Sequence, residues 1–246
     1  MIALLGTLAA WAIVTYGNAS LGVVNPVLLP TPGAVGAVLV DAIRDGSLPR
    51  HILVSLVRVA EGFGLAALAA IGLGLLAGLC APLRLAVEPV IEFVRPIPPL
   101  AFLPMFLVWF GLGEASKVAF IGYTTFFPMF VTIAASVLGV DVMLLRAAAS
   151  LGASRVDLIR HVVLPAALPG IIVGLRLGFG LALFVIVGAE FMGADAGLGY
   201  LIMEGRTFFQ PAQIVMGALI LGLLGSLVNA LLLAAERRVL RGPAVA

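Results

Sequence analysis

Few residues in this chain could do chemistry together. Among 246 residues there are two histidines, His51 and His161, one cysteine, Cys80, and one lysine, Lys117. A lone thiol gives neither a disulfide framework nor a thiolate metal site, and two histidines so far apart in sequence do not form a metal-binding cluster. There is no Gly-x-x-x-x-Gly-Lys-Ser/Thr, so the chain does not hold ATP through a phosphate loop, and neither His-Glu-x-x-His nor Gly-x-Ser-x-Gly occurs. The acidic pairs Asp41/Asp45 and Glu88/Glu92 stand at i,i+4 spacing near the ends of apolar segments, where a solvated helix face accounts for them. An enzyme working inside a membrane would need a nucleophile with its base, or metal ligands, at depth. The sequence supplies neither, so no catalytic residues, no metal site and no bound cofactor are expected.

The elements that must carry the remaining polar residues are membrane helices. The chain is 63% hydrophobic and 11% charged, against about 25% charged residues in soluble domains. With a net charge of +2 and no basic run it is not a nucleic-acid binder. The fold class is all-α, a polytopic helix bundle forming a single domain over 1–246. A crossing needs about 20 apolar residues, and six segments qualify or nearly so: roughly 2–17, 52–80, 86–110, 117–139, 168–192 and 211–235. No positive region precedes residues 2–16, so a short first span is a better reading than a signal peptide. Between the first two spans, Thr31 with Pro32 opens a short interfacial helix over 33–45, ended by Gly46 and Pro49. Arg84, Arg146, Arg155, Arg160, Arg237, Arg238 and Arg241 fall on one side of the spans, and Arg44, Arg50, Lys117 and Arg206 on the other. That bias puts the 141–167 loop and both termini in the cytoplasm.

Several polar residues lie within the spans. Arg58 and Glu61 share a helix face and can neutralise each other. Arg176 lies about two turns into the fifth span and Glu190 near its outer end. Arg95-Pro96-Ile97-Pro98-Pro99 interrupts the third span, because prolines delete backbone donors. At the cytoplasmic surface this stretch would merely start the span; at depth it would mark a pathway, since irregular backbone survives there only when buried in protein or lining a wet cavity. Tyr123 and Thr124, in a run ending at Pro128, either satisfy carbonyls of a bent helix or line a polar passage. Arg58, Arg95, Tyr123, Thr124, Arg176 and Glu190 are thus either structural or the wall of a route that draws an anion through. Gly74-x-x-x-Gly78 and Gly174-x-x-x-Gly178 point to tight helix packing.

The longest polar interruption runs from Arg146 to Pro165. Gly152 permits a tight turn or a close backbone approach. Ser154 with Asp157 three residues on has the form of a capping box, opening a helix over about 155–163 whose apolar stripe is Val156, Ile159 and Val163. Pro165 and Pro169 should stop it before the fifth span. Such a helix lies on lipid or docks into a groove on a cytoplasmic partner.

This loop resembles the cytoplasmic loop of ATP-binding-cassette importer permeases, in which Glu-Ala-Ala, three residues, Gly, nine residues and Ile-x-Leu-Pro couple to the ATPase. Here the residues are Arg146-Ala147-Ala148, Gly152, and Val162-x-Leu164-Pro165; Arg146 stands where the family carries an acid. Arg95-Pro96-Ile97-Pro98-Pro99-Leu100-Ala101, Trp109 to Lys117, Phe126-Phe127-Pro128 and Gly197-Leu198-Gly199-Tyr200-Leu201 are similar to the nitrate/sulfonate/taurine branch. The resemblance implies a type I importer permease that does no chemistry. It implies a second permease copy as a homodimer, two cytoplasmic ATPase subunits that carry the ATP and Mg, and a periplasmic or lipid-anchored substrate-binding protein, in the bacterial inner membrane. It makes Arg146, Ala147, Ala148, Gly152, Ser154, Asp157, Val162, Leu164 and Pro165 the ATPase-coupling residues. It implies a small anionic solute: a sulfonate, nitrate, taurine or an organic carboxylate. A passive channel or scaffold without an ATPase is the alternative.

Overall fold

The computed structural model describes residues 2–25 and 27–240, and every regular element among them is helical. In chain order these are α1 (Ile2–Leu21), α2 (Pro32–Arg44), α3 (Ser47–Leu79), α4 (Ala81–Val94), a 3-10 turn (Pro99–Phe102), α5 (Leu103–Phe110), α6 (Glu114–Leu138), α7 (Val142–Ser150), α8 (Arg155–Leu158), a π turn (Ile159–Val163), α9 (Leu164–Glu190), α10 (Leu198–Thr207) and α11 (Pro211–Leu240). Four stretches are long and apolar enough to cross a bilayer: Ser47–Leu79, Glu114–Leu138, Arg155–Glu190 and Pro211–Arg238. The pair α4 and α5 passes the same test jointly but is bent by 86°. With 20 residues, about 30 Å of helix, α1 has the length expected of the first span.

The chain forms two compact units. One takes the chain up to Val57 together with Glu190–Leu224; the other takes Arg58–Ala189 together with the chain from Gly225 on.

In the second unit, glycines set the register around α6. A Cβ on Gly62 would meet Ile121, one on Gly74 would meet Ile133, and one on Gly78 would meet Val137. Each pair is separated by the same 59 residues of chain (62 to 121, 74 to 133, 78 to 137), so α3 and α6 run parallel. On the other helix, Gly170 faces Ser136, Gly174 faces Thr132, and Gly178 faces Met129. One number rises as the other falls, so α9 runs antiparallel to α6. The small-residue spacings noted in the sequence are therefore contacts where backbones approach closely. The buried core includes Ala70, Ala77, Met129, Ile133, Val163 and Ala167.

This register decides what the bent pair is. The chain leaves α3 at Leu79, beside Val137, and enters α6 at Glu114, which bonds Arg58 near the other end of that parallel contact. Between them it must travel back along α3 from residue 79 to residue 58, about 30 Å at 1.5 Å per residue. The segment α4–α5 is thus a crossing with a break in it rather than a re-entrant loop. Pro96, Pro98 and Pro99 cause the break by withholding three of four consecutive N–H donors. It lies beside Tyr123–Pro128, the middle of α6, the neighbourhood that the reading of this stretch at depth calls for.

Two other expectations change. The helix beginning at Ser154 is not stopped by Pro165 and Pro169. It continues through the π turn into α9, with Pro165 in the first turn and Pro169 inside. A π turn pairs i with i+5 and so reroutes the bonds that a proline would otherwise break. Arg58 does not turn to Glu61, which is exposed. It binds Glu114 through Nε at 2.5 Å and Nη2 at 2.7 Å.

In the first unit, Thr31 caps α2 by accepting from the Ala34 N–H at 3.2 Å, with Pro32 at the first helical position, as the sequence indicates. Val35, Ala42, Leu48, Leu198, Leu201 and Met216 form its core.

If the glycine register holds the bundle, Gly78→Ala will destabilise it, because the new methyl lands on Val137; overpacking of this kind costs about 1–3 kcal/mol. Gly72→Ala, where a Cβ meets open space, will be neutral or slightly stabilising. Thermal unfolding of the two variants in detergent makes the comparison.

Candidate functional site: a helical loop, a broken span and a buried carboxylate

The loop is more ordered than its sequence suggests. Asp141 caps α7 by accepting from the Met143 N–H at 2.8 Å. At the other end, the Ala153 N–H donates to the Ala148 carbonyl at 3.2 Å and the Gly152 N–H to that of Ala149 at 3.0 Å. With Gly152 at φ +83, this is a Schellman termination. Nothing lies within 4 Å of where its Cβ would be, so glycine is required for backbone sign, not for space. Two residues on, Ser154 opens the next helix with the expected capping box. Its Oγ accepts from the Asp157 N–H at 3.3 Å, and the Asp157 carboxylate accepts from the Ser154 N–H at 3.1 Å.

These terminations fix what the loop presents. Val163 is buried and Ile159 half-buried, so the lower part of the predicted stripe packs inward. Val156 is 71% exposed, Leu151 89% and Met143 70%. Around them Arg146, Arg155 and Arg160 are exposed, and His161 lies 3.8 Å from Asp157. Leu151 and Met143 were not singled out in the sequence; their mark there is an apolar side chain beside a helix-ending glycine or a capping aspartate. Val162 and Leu164 are half-buried, while Arg146, Ala147 and Pro165 are exposed and Ala148 is half-buried.

The six intramembrane candidates separate into two groups. Arg58, 2% exposed, is held by Glu114. Lys117, equally buried, donates to the Leu112 and Gly113 carbonyls at 3.0 and 3.2 Å and lies 3.6 Å from Glu114. The motif Gly111-Leu112-Gly113-Glu114-Ala115-Ser116-Lys117 is thus a corner whose charges neutralise each other where helix α6 starts. Arg176 pairs with Glu236 at 2.7 Å. Glu190 is 2% exposed and accepts from the Ser55 hydroxyl at 2.7 Å and the Gly199 N–H at 2.6 Å. Ser55 in turn accepts from the Leu198 N–H, and His51 Nδ1 accepts from the Gly197 N–H at 2.9 Å. The first N–H groups of α10 are thus taken by a histidine, a hydroxyl and a carboxylate, and the helix dipole favours the negative charge of Glu190 there. Gly197 sits at φ +128 with the Glu190 carboxylate in the space a Cβ would take. His51 and Ser55, four apart on α3, were legible as one helix face but not as partners of the glycines. Tyr200 stacks on His51 and donates to Glu204 at 3.0 Å; that bond, aided by burial, raises the pKa of its phenol.

Arg95, Tyr123 and Thr124 form the second group. They line one cavity of about 220 Å³ at the break, with Pro99, Phe127 and Leu181. The Thr124 hydroxyl donates to the Phe120 carbonyl at 2.9 Å. Among the described residues neither the Arg95 guanidinium nor the Tyr123 hydroxyl has a protein partner. Arg95 also borders a larger cavity of about 370 Å³, lined by Arg84, Glu88, Glu92, Phe130 and Leu138.

Apolar spans, an exposed loop and a cavity at a broken span are the build expected of a transport permease. Residues 70–241 match the family described as binding-protein-dependent transport system inner membrane component, and the chain belongs to that family. It is 36% identical over 234 residues to a putative aliphatic sulfonates transport permease of Bacillus subtilis, covering 95% of this chain and 83% of that one. It is likewise 36% identical to the taurine transport system permease of Escherichia coli, over 95% and 87% of the two chains. A nitrate import permease of Leptolyngbya laminosa is 33% identical over 76% and 67%. The fold matches that of a solved amino acid ABC transporter with a TM-score of 0.63 at 21% identity, over 76% of this chain and 92% of that one. The protein is a multi-pass permease subunit of an ATP-driven importer, not an enzyme, and it works with an ATPase and a substrate-binding protein.

Two substitutions probe these local devices. Gly197→Ala will displace the Glu190 carboxylate and lower the unfolding temperature in detergent, whereas Gly180→Ala, which meets nothing within 4 Å, will not. Ser154→Ala will leave the bundle folded but raise amide exchange over 156–158 roughly fivefold through loss of the cap.

Proposed function

We propose that the chain pairs with a second copy of itself to form the pathway for a small anion, and that ATPase subunits drive it through the 141–167 loop. The observation that carries the coupling role is the loop's double termination. A left-handed glycine ends one helix, a capping box starts the next, and Leu151 and Val156 are held out in water beside three arginines. Exposed apolar residues with a basic rim suit a groove on a protein partner. The run from Arg155 into α9 gives the loop a stiff connection to a span, so force on the loop moves the bundle as a rigid body.

The charge bias supports a cytoplasmic loop and cytoplasmic termini. Lys117, on the opposite side in the count, is buried in its own ion pair, which leaves seven arginines against three. The homodimer is supported by α4. Arg84, Glu88, Glu92 and Arg95 recur on one face of a broken span, and a charged face of that kind is too costly against lipid. A second copy facing it encloses a wet path. The anion is supported by the sulfonate, taurine and nitrate names of the relatives. ATP and Mg belong to the partner ATPase in this reading.

In liposomes containing the permease–ATPase complex, Leu151→Asp and Gly152→Val will each cut substrate-stimulated ATP hydrolysis roughly tenfold or more, the scale of an interface hot spot. Insertion will be unchanged in both, and the thermal stability of the bundle will be unchanged in Leu151→Asp, which separates loss of the contact from the backbone strain that Gly152→Val adds at φ +83. Wild-type coupling in both variants would remove the loop from the mechanism.

A further inference from the structure

The cavity at the break has a composition that narrows the solute, given the anion reading above. Its single charged residue is Arg95. The rest of its wall is apolar or aromatic: Val94, Ile97, Pro99, Phe127, Pro128 and Leu181, with the hydroxyl-bearing Tyr123 and Thr124 on one side. Tyr123 is fixed in place by edge-on contacts with Phe102 at 5.5 Å and Phe127 at 5.1 Å, so its free hydroxyl has a defined position. The volume, about 220 Å³, is below the roughly 300–1,000 Å³ of sites for drug-sized ligands.

Three other cations of this unit are neutralised inside the protein: Arg58 and Lys117 by Glu114, Arg176 by Glu236. Arg95 is not, among the described residues. Held beside the middle of α6, a guanidinium without a carboxylate needs either water or an anion. On its other side, towards the ends of α3 and α6 at Ala77 and Leu138, the larger cavity carries Glu88 and Glu92. Arg84 lines that cavity too, so its charges balance there; what sets the smaller cavity apart is an arginine facing an apolar wall with no carboxylate in the lining.

We infer that this cavity seats an organic anion with a compact apolar body, its sulfonate or carboxylate headgroup on Arg95 and Tyr123, and that it discriminates against a bare inorganic oxyanion. A planar fork of donors matches a trigonal or tetrahedral oxyanion head, but nitrate has no body with which to cover Phe127, Pro128 and Leu181. Burial of that apolar surface is what an alkyl or aryl group adds.

The test uses the purified permease–ATPase complex in nanodiscs without binding protein, and reads binding of methanesulfonate, butanesulfonate, benzoate and nitrate by calorimetry. Butanesulfonate and benzoate are expected to bind at least tenfold more tightly than nitrate, with methanesulfonate between. Arg95→Gln should abolish binding of all three organic anions. Leu181→Phe, which fills the apolar end, should weaken butanesulfonate at least tenfold and leave methanesulfonate within about threefold. Arg95→Lys should restore part of the affinity lost in Arg95→Gln, a rescue that a merely structural arginine would not show. Nitrate binding equal to butanesulfonate, or Arg95→Gln binding like wild type, would overturn the inference while leaving the permease reading intact. Failure of the permease reading shows separately: the wild-type complex with its binding protein would then import no anion and show no substrate-stimulated ATP hydrolysis.

Discussion

Close approach along α6 is the constraint on which the rest of this structure depends. Gly62, Gly74 and Gly78 let α3 lie against one side of it, and Gly170, Gly174 and Gly178 let α9 lie against another. In lipid there is no hydrophobic gain from bringing two apolar helices together, so packing and small residues must hold them. Because the contacts are glycine against Ile121, Ile133, Val137 and Met129, the register tolerates no slip of a turn. From that register follow the directions of the helices, the crossing made by α4 and α5, and the depth of the break. Hydroxyls reinforce the axis: Thr125, Thr132 and Ser136 each bond a carbonyl one turn back, so their polarity is consumed within the helix.

Charge is distributed on the same economy. Arg58 and Lys117 share Glu114 at the head of α6, Arg176 pairs with Glu236, and Glu190 accepts from the Ser55 hydroxyl and the Gly199 N–H at the head of α10. The first and last of these fix the starts of helices, and the Arg176 pair ties the middle of α9 to the later part of α11. The face of α4 is different. Its four charges line space rather than partners, which is a feature a protein keeps in a membrane only where water or solute reaches it.

Much of this was legible in the sequence, for identifiable reasons. Thr31-Pro32 and Ser154-x-x-Asp157 are local signals, decided by hydrogen bonds within four residues, and both helices begin where those residues indicate. Long apolar runs located the four long apolar helices and the bent pair, with ends off by up to about five residues except at the start of Arg155–Glu190. The chain's long-range pairings were not legible. Arg58 had Glu61 one turn away as an obvious partner, and only the parallel register of α3 and α6 shows that Glu114 is nearer. The continuity from Arg155 to Glu190 was hidden because two prolines ordinarily end a helix, and a π turn leaves no mark in composition. Of the candidate pathway residues, three proved to share a cavity and three to be tied into the scaffold, a division that depends on burial and distance rather than on residue type.

The π turn at Ile159–Val163 has a geometric consequence. It holds one residue more than an α-helical repeat, and each residue of an α-helix turns the chain by about 100°. The azimuth at which Leu151 and Val156 project from the axis of α9 is therefore set by a single surplus residue. Winding that turn into plain α-helix would swing the whole projecting surface by more than a quarter of a revolution without altering any side chain on it. The bulge acts as a phase setting between the loop and the span, and it lies where a proline has already loosened the ladder of hydrogen bonds.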